Sequence, residues 1–223
     1  MSVFRDVLKK ITPFMKSRGF ERSGYSGRFY YVANDIAYCV TFEKPSILIY
    51  VTAYIMPLYV PTEYIYFDYG ERLRHLHGLE LHTLTENEPE LMEQWCADYC
   101  KAMDEKILPV FQQIPSPEAL IGELENESPS LKWFFRCPQI HIEKLKMYTY
   151  FYLQRLSETQ ATIECYCKEL AQCDFLTKTY IQRYIAEADV VATLLHKSAK
   201  ERETFIADAI EHTKQFFKKA YAQ

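Results

Sequence analysis

The stretch Arg28-Phe29-Tyr30-Tyr31-Val32-Ala33-Asn34-Asp35-Ile36-Ala37-Tyr38-Cys39-Val40-Thr41-Phe42 decides the fold. Both of its arms are rich in β-branched and aromatic residues, and Asn34-Asp35 between them is a turn signal, since these side chains tolerate left-handed backbone. Two strands are expected, Tyr25 to Val32 and Ile36 to Phe42. Lys44-Pro45 breaks the pattern before a third run, Ile47 to Leu58. There Ile47, Ile49, Val51, Ala53 and Ile55 share one face, and Leu48, Tyr50, Thr52, Tyr54 and Met56 share the other. Connections this short imply an antiparallel meander, which Pro57 and Pro61 end or confine to an edge.

Upstream, residues 2–18 read as an amphipathic helix, with Phe4, Val7, Leu8, Ile11, Phe14 and Met15 at three- and four-residue steps. Pro13 should disturb its last turn, Gly19 should supply a left-handed cap, and Phe20 should pack back on the helix. This helix is expected to cover one face of the sheet. Downstream, residues 61–86 are the least regular part and read as a loop with one short helix or strand.

From Asn87 onward the pattern is helical. Asn87 is a candidate cap, and Leu91, Trp95, Tyr99, Met103, Ile107 and Val110 form an apolar stripe. Ser116-Pro117 and Ser128-Pro129 look like caps followed by proline, and Asp174 could cap a later helix. Ser157-x-x-Gln160 and Ser198-x-x-Glu201 are capping boxes. Met147 to Leu153 is aromatic enough to admit a strand as well as a helix. The fold class is therefore α+β: an N-terminal helix packed on a small antiparallel β-sheet, followed by a mostly helical C-terminal half. Prolines 115, 117, 129 and 138 mark a boundary, dividing residues 1–112 from a helical region 113–223, as two domains or as parts of one.

Pro13-Phe14-Met15-Lys16-Ser17-Arg18-Gly19-Phe20, then Arg28-Phe29-Tyr30 and the meander, resemble the bacterial domain-of-unknown-function 4304 family over the first third to half of the chain. The resemblance implies a helix packed on an antiparallel sheet. It brings no catalytic residues, and the helical C-terminal half departs from the family.

Composition narrows the partners. The 223 residues include 26 Lys and Arg against 30 Asp and Glu, a formal charge of −4, so binding to nucleic acid is not favoured. The longest apolar run, residues 46–60, is too short to span a bilayer, and the first residues do not form a secretory leader. Seven cysteines without a regular framework fit reduced thiols and a cytoplasmic setting. The 18 tyrosines and 14 phenylalanines suit helix seams, half-buried strands and contact surfaces.

No phosphate-binding glycine loop, nucleophile elbow or His-Glu-x-x-His pattern occurs. His75-x-His77, with Glu71, Glu80 and His82 nearby, is the best metal candidate, since on a strand the two imidazoles point the same way. A solvated loop is the plainer reading. His141-Ile142-Glu143 matches the opening of a zinc deaminase site, but the Pro-Cys-x-x-Cys it needs is missing, which leaves a surface His and Glu at a helix start. Cys96 and Cys100, four apart on a helix, read as packing residues, as do Cys165 and Cys167. Arg72, Arg74, His75 and His77 form the most basic short patch, just after Tyr64, Tyr66 and Tyr69.

Two functions follow. The first is a non-enzymatic protein-interaction module, an immunity, adaptor or regulatory factor that contacts a protein partner or a second copy through Tyr64, Tyr66, Tyr69, Arg72 and Arg74. The alternative is a small-molecule enzyme or metal-dependent hydrolase centred on His75 and His77. No cofactor is implied.

Overall fold

A computed structural model describes residues 2–23, 27–62, 68–73, 84–126 and 131–219, with side chains through residue 215. The architecture is α+β, with an N-terminal helix, a five-stranded antiparallel sheet and a mostly helical C-terminal half.

Helix α1 (Val3–Ser17) buries Val3, Val7, Leu8, Ile11 and Met15, the face its periodicity marks. It ends as its sequence implies. Gly19 takes φ +84°, its N–H donates to the Lys16 carbonyl (3.0 Å), and that of Phe20 donates to Met15 (3.1 Å). Its start is closed from far along the chain: the Glu86 carboxylate accepts from Ser2 Oγ (2.8 Å), Val3 N (3.0 Å) and Phe4 N (3.1 Å). Lys44 Nζ lies 3.2 Å from the same group. Burial alone would raise the pKa of Glu86, but these donors outweigh it and hold the group at about 2.

The sheet contains β1 (Glu21–Arg22), β2 (Arg28–Ala33), β3 (Ile36–Glu43), β4 (Tyr50–Pro57) and β5 (Gly70–Arg72), in spatial order 1-2-3-4-5 and antiparallel throughout. Asn34 and Asp35 both have positive φ (48° and 57°), the conformation a two-residue hairpin needs to match strand twist. The third run is shorter than its pattern. Regular pairing begins at Tyr50, and Leu48 makes only a single bridge, to Thr85. Within the irregular 61–86 stretch, Gly70–Arg72 supplies the edge strand. A side chain at Gly70 would lie 2.2 Å from the Ala53 carbonyl oxygen, so only glycine allows this pairing.

Tyr38, Val40 and Phe42 of β3 share one face, and α2 (Met92–Ala102) and α3 (Leu108–Gln113) pack against it. Phe42 meets Tyr99 at 5.0 Å, Tyr38 meets Phe111 at 5.3 Å, and the Tyr38 phenol donates to the Ile114 carbonyl. Between these helices, Met103–Ile107 forms a wider π turn. It lies where Pro109 would otherwise force its ring against the carbonyl four residues back. The opposite face of β3 and β4 is buried too and more polar, with Cys39, Thr41, Thr52 and Tyr54. Thr41 Oγ1 lies 3.1 Å from the Tyr54 phenol.

Helix α4 (Pro117–Glu125) starts at Ser116, whose Oγ accepts the Ala119 N–H (3.3 Å). Helices α5 (Gln139–Tyr152), α6 (Leu156–Gln172), α7 (Lys178–Leu195) and α8 (Ala199–Lys219) complete the chain. Met147 to Tyr152 is helical, and Tyr148 and Phe151, three apart, are both buried. Three expected starts shift. The helix expected from Asn87 opens with a tight turn at Pro89–Leu91, α6 begins at Leu156 ahead of Ser157, and α7 begins after Thr177 rather than Asp174. The Ser198–Glu201 box forms, with reciprocal bonds of 2.9 and 3.3 Å. One continuous cluster of buried residues runs from Val3 to Ile206. Among the described residues, no helix is long and apolar enough to cross a membrane.

Candidate functional site

A cleft opens where the chain leaving β4 passes α5 and α7. Pro61, Thr62, Asp68 and Tyr69 form one wall, while His141 and Lys144 of α5 and Arg183, Tyr184 and Glu187 of α7 form the other. It continues as a groove past Ala186 and Val190 toward His212 of α8. Helical spacing builds the second wall. His141 and Lys144 are three apart, and Arg183, Glu187 and Val190 recur at four- and three-residue steps along one flank.

The polar end of this groove is internally paired. His141 Nδ1 faces Asp68 Oδ2 at 3.5 Å, Lys144 pairs with Glu187, and Arg183 Nε approaches Glu187 Oε1 at 3.5 Å. The Lys144 ammonium also sits 4.9 Å from the centre of the Tyr184 ring. Burial lowers the pKa of His141; the Asp68 charge opposes this, and the Lys144 charge adds to it. The imidazole is therefore neutral at neutral pH. It is also more enclosed than its sequence suggests, with 14% of its side chain exposed, which corrects the reading of a surface residue. Beneath the cleft, Tyr166 of α6 is fully buried, and its hydroxyl has no hydrogen-bond partner among the described residues.

A neutral imidazole beside a carboxylate can serve as a general base, so the nearby nucleophile matters. Cys137 lies close enough to Asp68 to feel its charge. Burial, reinforced by Asp68, raises its thiol to about 12. At neutral pH roughly one such thiol in 10^5 is ionised, the reverse of an activated cysteine. Burial likewise holds Cys39 at about 12 and Cys96 at about 11. The groove carries fixed opposite charges at one end and a small apolar lip at the other.

The residues singled out from sequence distribute unevenly. Tyr69 is 1% exposed and lines the cleft. Arg72 is exposed on β5, its guanidinium 4.4 Å from the centre of the Tyr50 ring. Tyr64, Tyr66, Arg74, His75 and His77 lie outside the described residues, as do Ser128 and Pro129. In the chain, Tyr64 and Tyr66 fall between two residues of the cleft wall, Thr62 and Asp68. No group of three or more metal-ligating side chains occurs among the described residues. His141, Lys144 and Glu187 escaped sequence reasoning as a set, because 43 residues separate Lys144 from Glu187. The only local signals were the helical spacings His141/Lys144 and Arg183/Glu187. Comparison of the chain with models of protein families, with curated proteins and with solved structures finds no match in any of the three.

Proposed function

We propose that the chain is a non-enzymatic protein-interaction module that holds a segment of a partner protein in the groove between the β4 exit and α7. One observation carries this reading. The Glu187 carboxylate engages both cations of the cleft, Lys144 and Arg183, while Val190, 47% exposed, stands at its open end. An active site keeps a reactive group unsatisfied, whereas a recognition groove presents fixed charges beside apolar surface. A role as an immunity, adaptor or regulatory factor in the cytoplasm fits that chemistry, and free thiols suit the setting.

The test is a pull-down from host lysate with the full chain and with the variant Arg183→Glu/Val190→Asp, whose folding is checked by circular dichroism. The expected result is one near-stoichiometric, salt-resistant protein retained by the wild type and lost by the variant. Capture of no such protein by the wild type overturns the reading. Equal capture by both removes the groove from it.

A further inference from the structure

A second groove lies on the other side of the molecule's first helix, along the outer flank of α1 beside β1. Phe4, Leu8, Thr12 and Pro13 give it an apolar floor, and Arg5, Lys9 and Arg22 line it. Among the described residues, its three ionisable groups are cations and no acidic residue lines it. This stands out in a chain of net charge −4. Nearby, Lys10 pairs with Glu93, and Arg18 pairs with Asp104 at 2.8 Å while stacking on Phe14. Arg5 and Lys9 are exposed. Arg22 sits 5.9 Å from the centre of the Phe29 ring, and burial lowers its pKa, so the groove is partly dehydrated.

The backbone adds a feature of its own. Pro13 lies inside α1 and has no N–H to give the carbonyl of Lys9, four residues back. That carbonyl is left without its usual helical donor, at a position where both residues line the groove. An apolar floor and a cationic rim together match a peptide bearing carboxylates and an apolar anchor.

From this juxtaposition we infer that the α1 groove is a docking site for an acidic segment of a partner protein carrying an aromatic or aliphatic anchor. The inference rests on the interaction-module reading for its class of function but uses a different surface. Charge complementarity selects the occupant. Nucleic acid binding draws its strength from neutralising many phosphates, and three cations on an acidic chain supply few. A membrane-surface helix needs a broad apolar face to insert; α1 turns Val3, Val7, Ile11 and Met15 into the core, and its groove side interleaves Phe4 and Leu8 with Arg5 and Lys9.

The experiment selects random linear peptides on the full chain, then measures the enriched peptides by fluorescence anisotropy. They should carry Asp or Glu next to an apolar residue and lose affinity as salt rises. Binding should weaken about tenfold or more on the variant Arg5→Glu/Lys9→Glu, since both contacts become repulsive. Peptides with Lys in place of the acids should recover on that variant, which separates a lost contact from a lost fold. Enriched peptides that are not acidic, or that bind the variant unchanged, overturn the proposal. So does tighter binding to labelled oligothymidine or to phosphatidylglycerol vesicles than to the selected peptides. Peptides lost only with Arg183→Glu/Val190→Asp would overturn the α1 site and leave the α7 groove standing.

Discussion

The phenol of Tyr59 lies 3.1 Å from the hydroxyl of Thr149, joining the chain just beyond β4 to the last turn of α5. Thr149 already donates its single proton to the Leu145 carbonyl at 2.7 Å, so Tyr59 must be the donor in this pair. Both residues are buried, and burial pushes the Tyr59 phenol far above its ordinary pKa, which keeps the proton in place.

The direction of that bond makes the two sides unequal. Tyr59→Phe removes the donor and leaves Thr149 satisfied by Leu145, at a cost of about 1 kcal/mol. Thr149→Val strands a buried phenol and should cost more, about 2 kcal/mol. Urea unfolding of the two variants checks the order, and an equal or reversed order would show that the donor assignment is wrong.

Glu86 acts as a cap for α1 supplied from outside the helix. Glu86→Gln should cost about 1 kcal/mol at neutral pH, the usual value of a lost cap. The pH dependence has a definite sign. A carboxyl held at about 2 in the folded state lends stability that is complete above its ordinary range near 4.5 and is lost as pH falls toward 2. The stability of the variant, followed by thermal melts across that window, should fall less steeply than that of the wild type.

Tyr166 offers a gain. Its hydroxyl is buried without a partner among the described residues, and burial raises its pKa strongly, with Glu187 adding to the effect. Tyr166→Phe removes an uncompensated polar atom and keeps the ring. It should raise stability by about 1 kcal/mol, read as a higher denaturation midpoint with an unchanged slope.

His141 should titrate below the ordinary imidazole value of about 6.5. A histidine whose pKa is lowered on folding contributes stability present above 6.5 and lost as pH drops through its folded value. His141→Gln should flatten that part of the stability profile. Proton NMR of the His141 ring gives the value directly, and a pKa at or above 6.5 would contradict the assignment.

What the sequence revealed was local. The apolar steps of α1, the cap at Gly19, the turn at Asn34-Asp35, the cap at Ser116 and the box at Ser198 each involve residues within five positions of one another, and each forms. What it concealed was assembled across distance. The donors that Glu86 holds at the start of α1 are more than 80 residues away, and nothing beside Glu86 announces them. Ser157 carried a capping pattern, yet Arg155 takes the cap position instead, its guanidinium bonded to Glu158 at 2.9 Å, and α6 begins two residues earlier. β5 is three residues long, too short for alternation to show. The cleft draws on the chain after β4, on α5 and on α7, three segments with no shared pattern.

The two-residue turn between β2 and β3 holds more than its hairpin. The Asn34 amide donates to the Pro115 carbonyl at 2.9 Å, and the Asp35 carbonyl accepts from Leu58 N at 2.8 Å. The Asp35 carboxylate accepts from Tyr152 at 3.1 Å and from Lys214 at 3.4 Å. These partners lie up to 179 residues downstream. Hairpins close within microseconds, whereas a ribosome adds only a few residues each second. During synthesis the turn is therefore complete long before α3, α5 and α8 exist, and it waits as a template on which each later segment can register. Chains interrupted before α8 would leave that template one partner short, with the Asp35 carboxylate lacking its lysine.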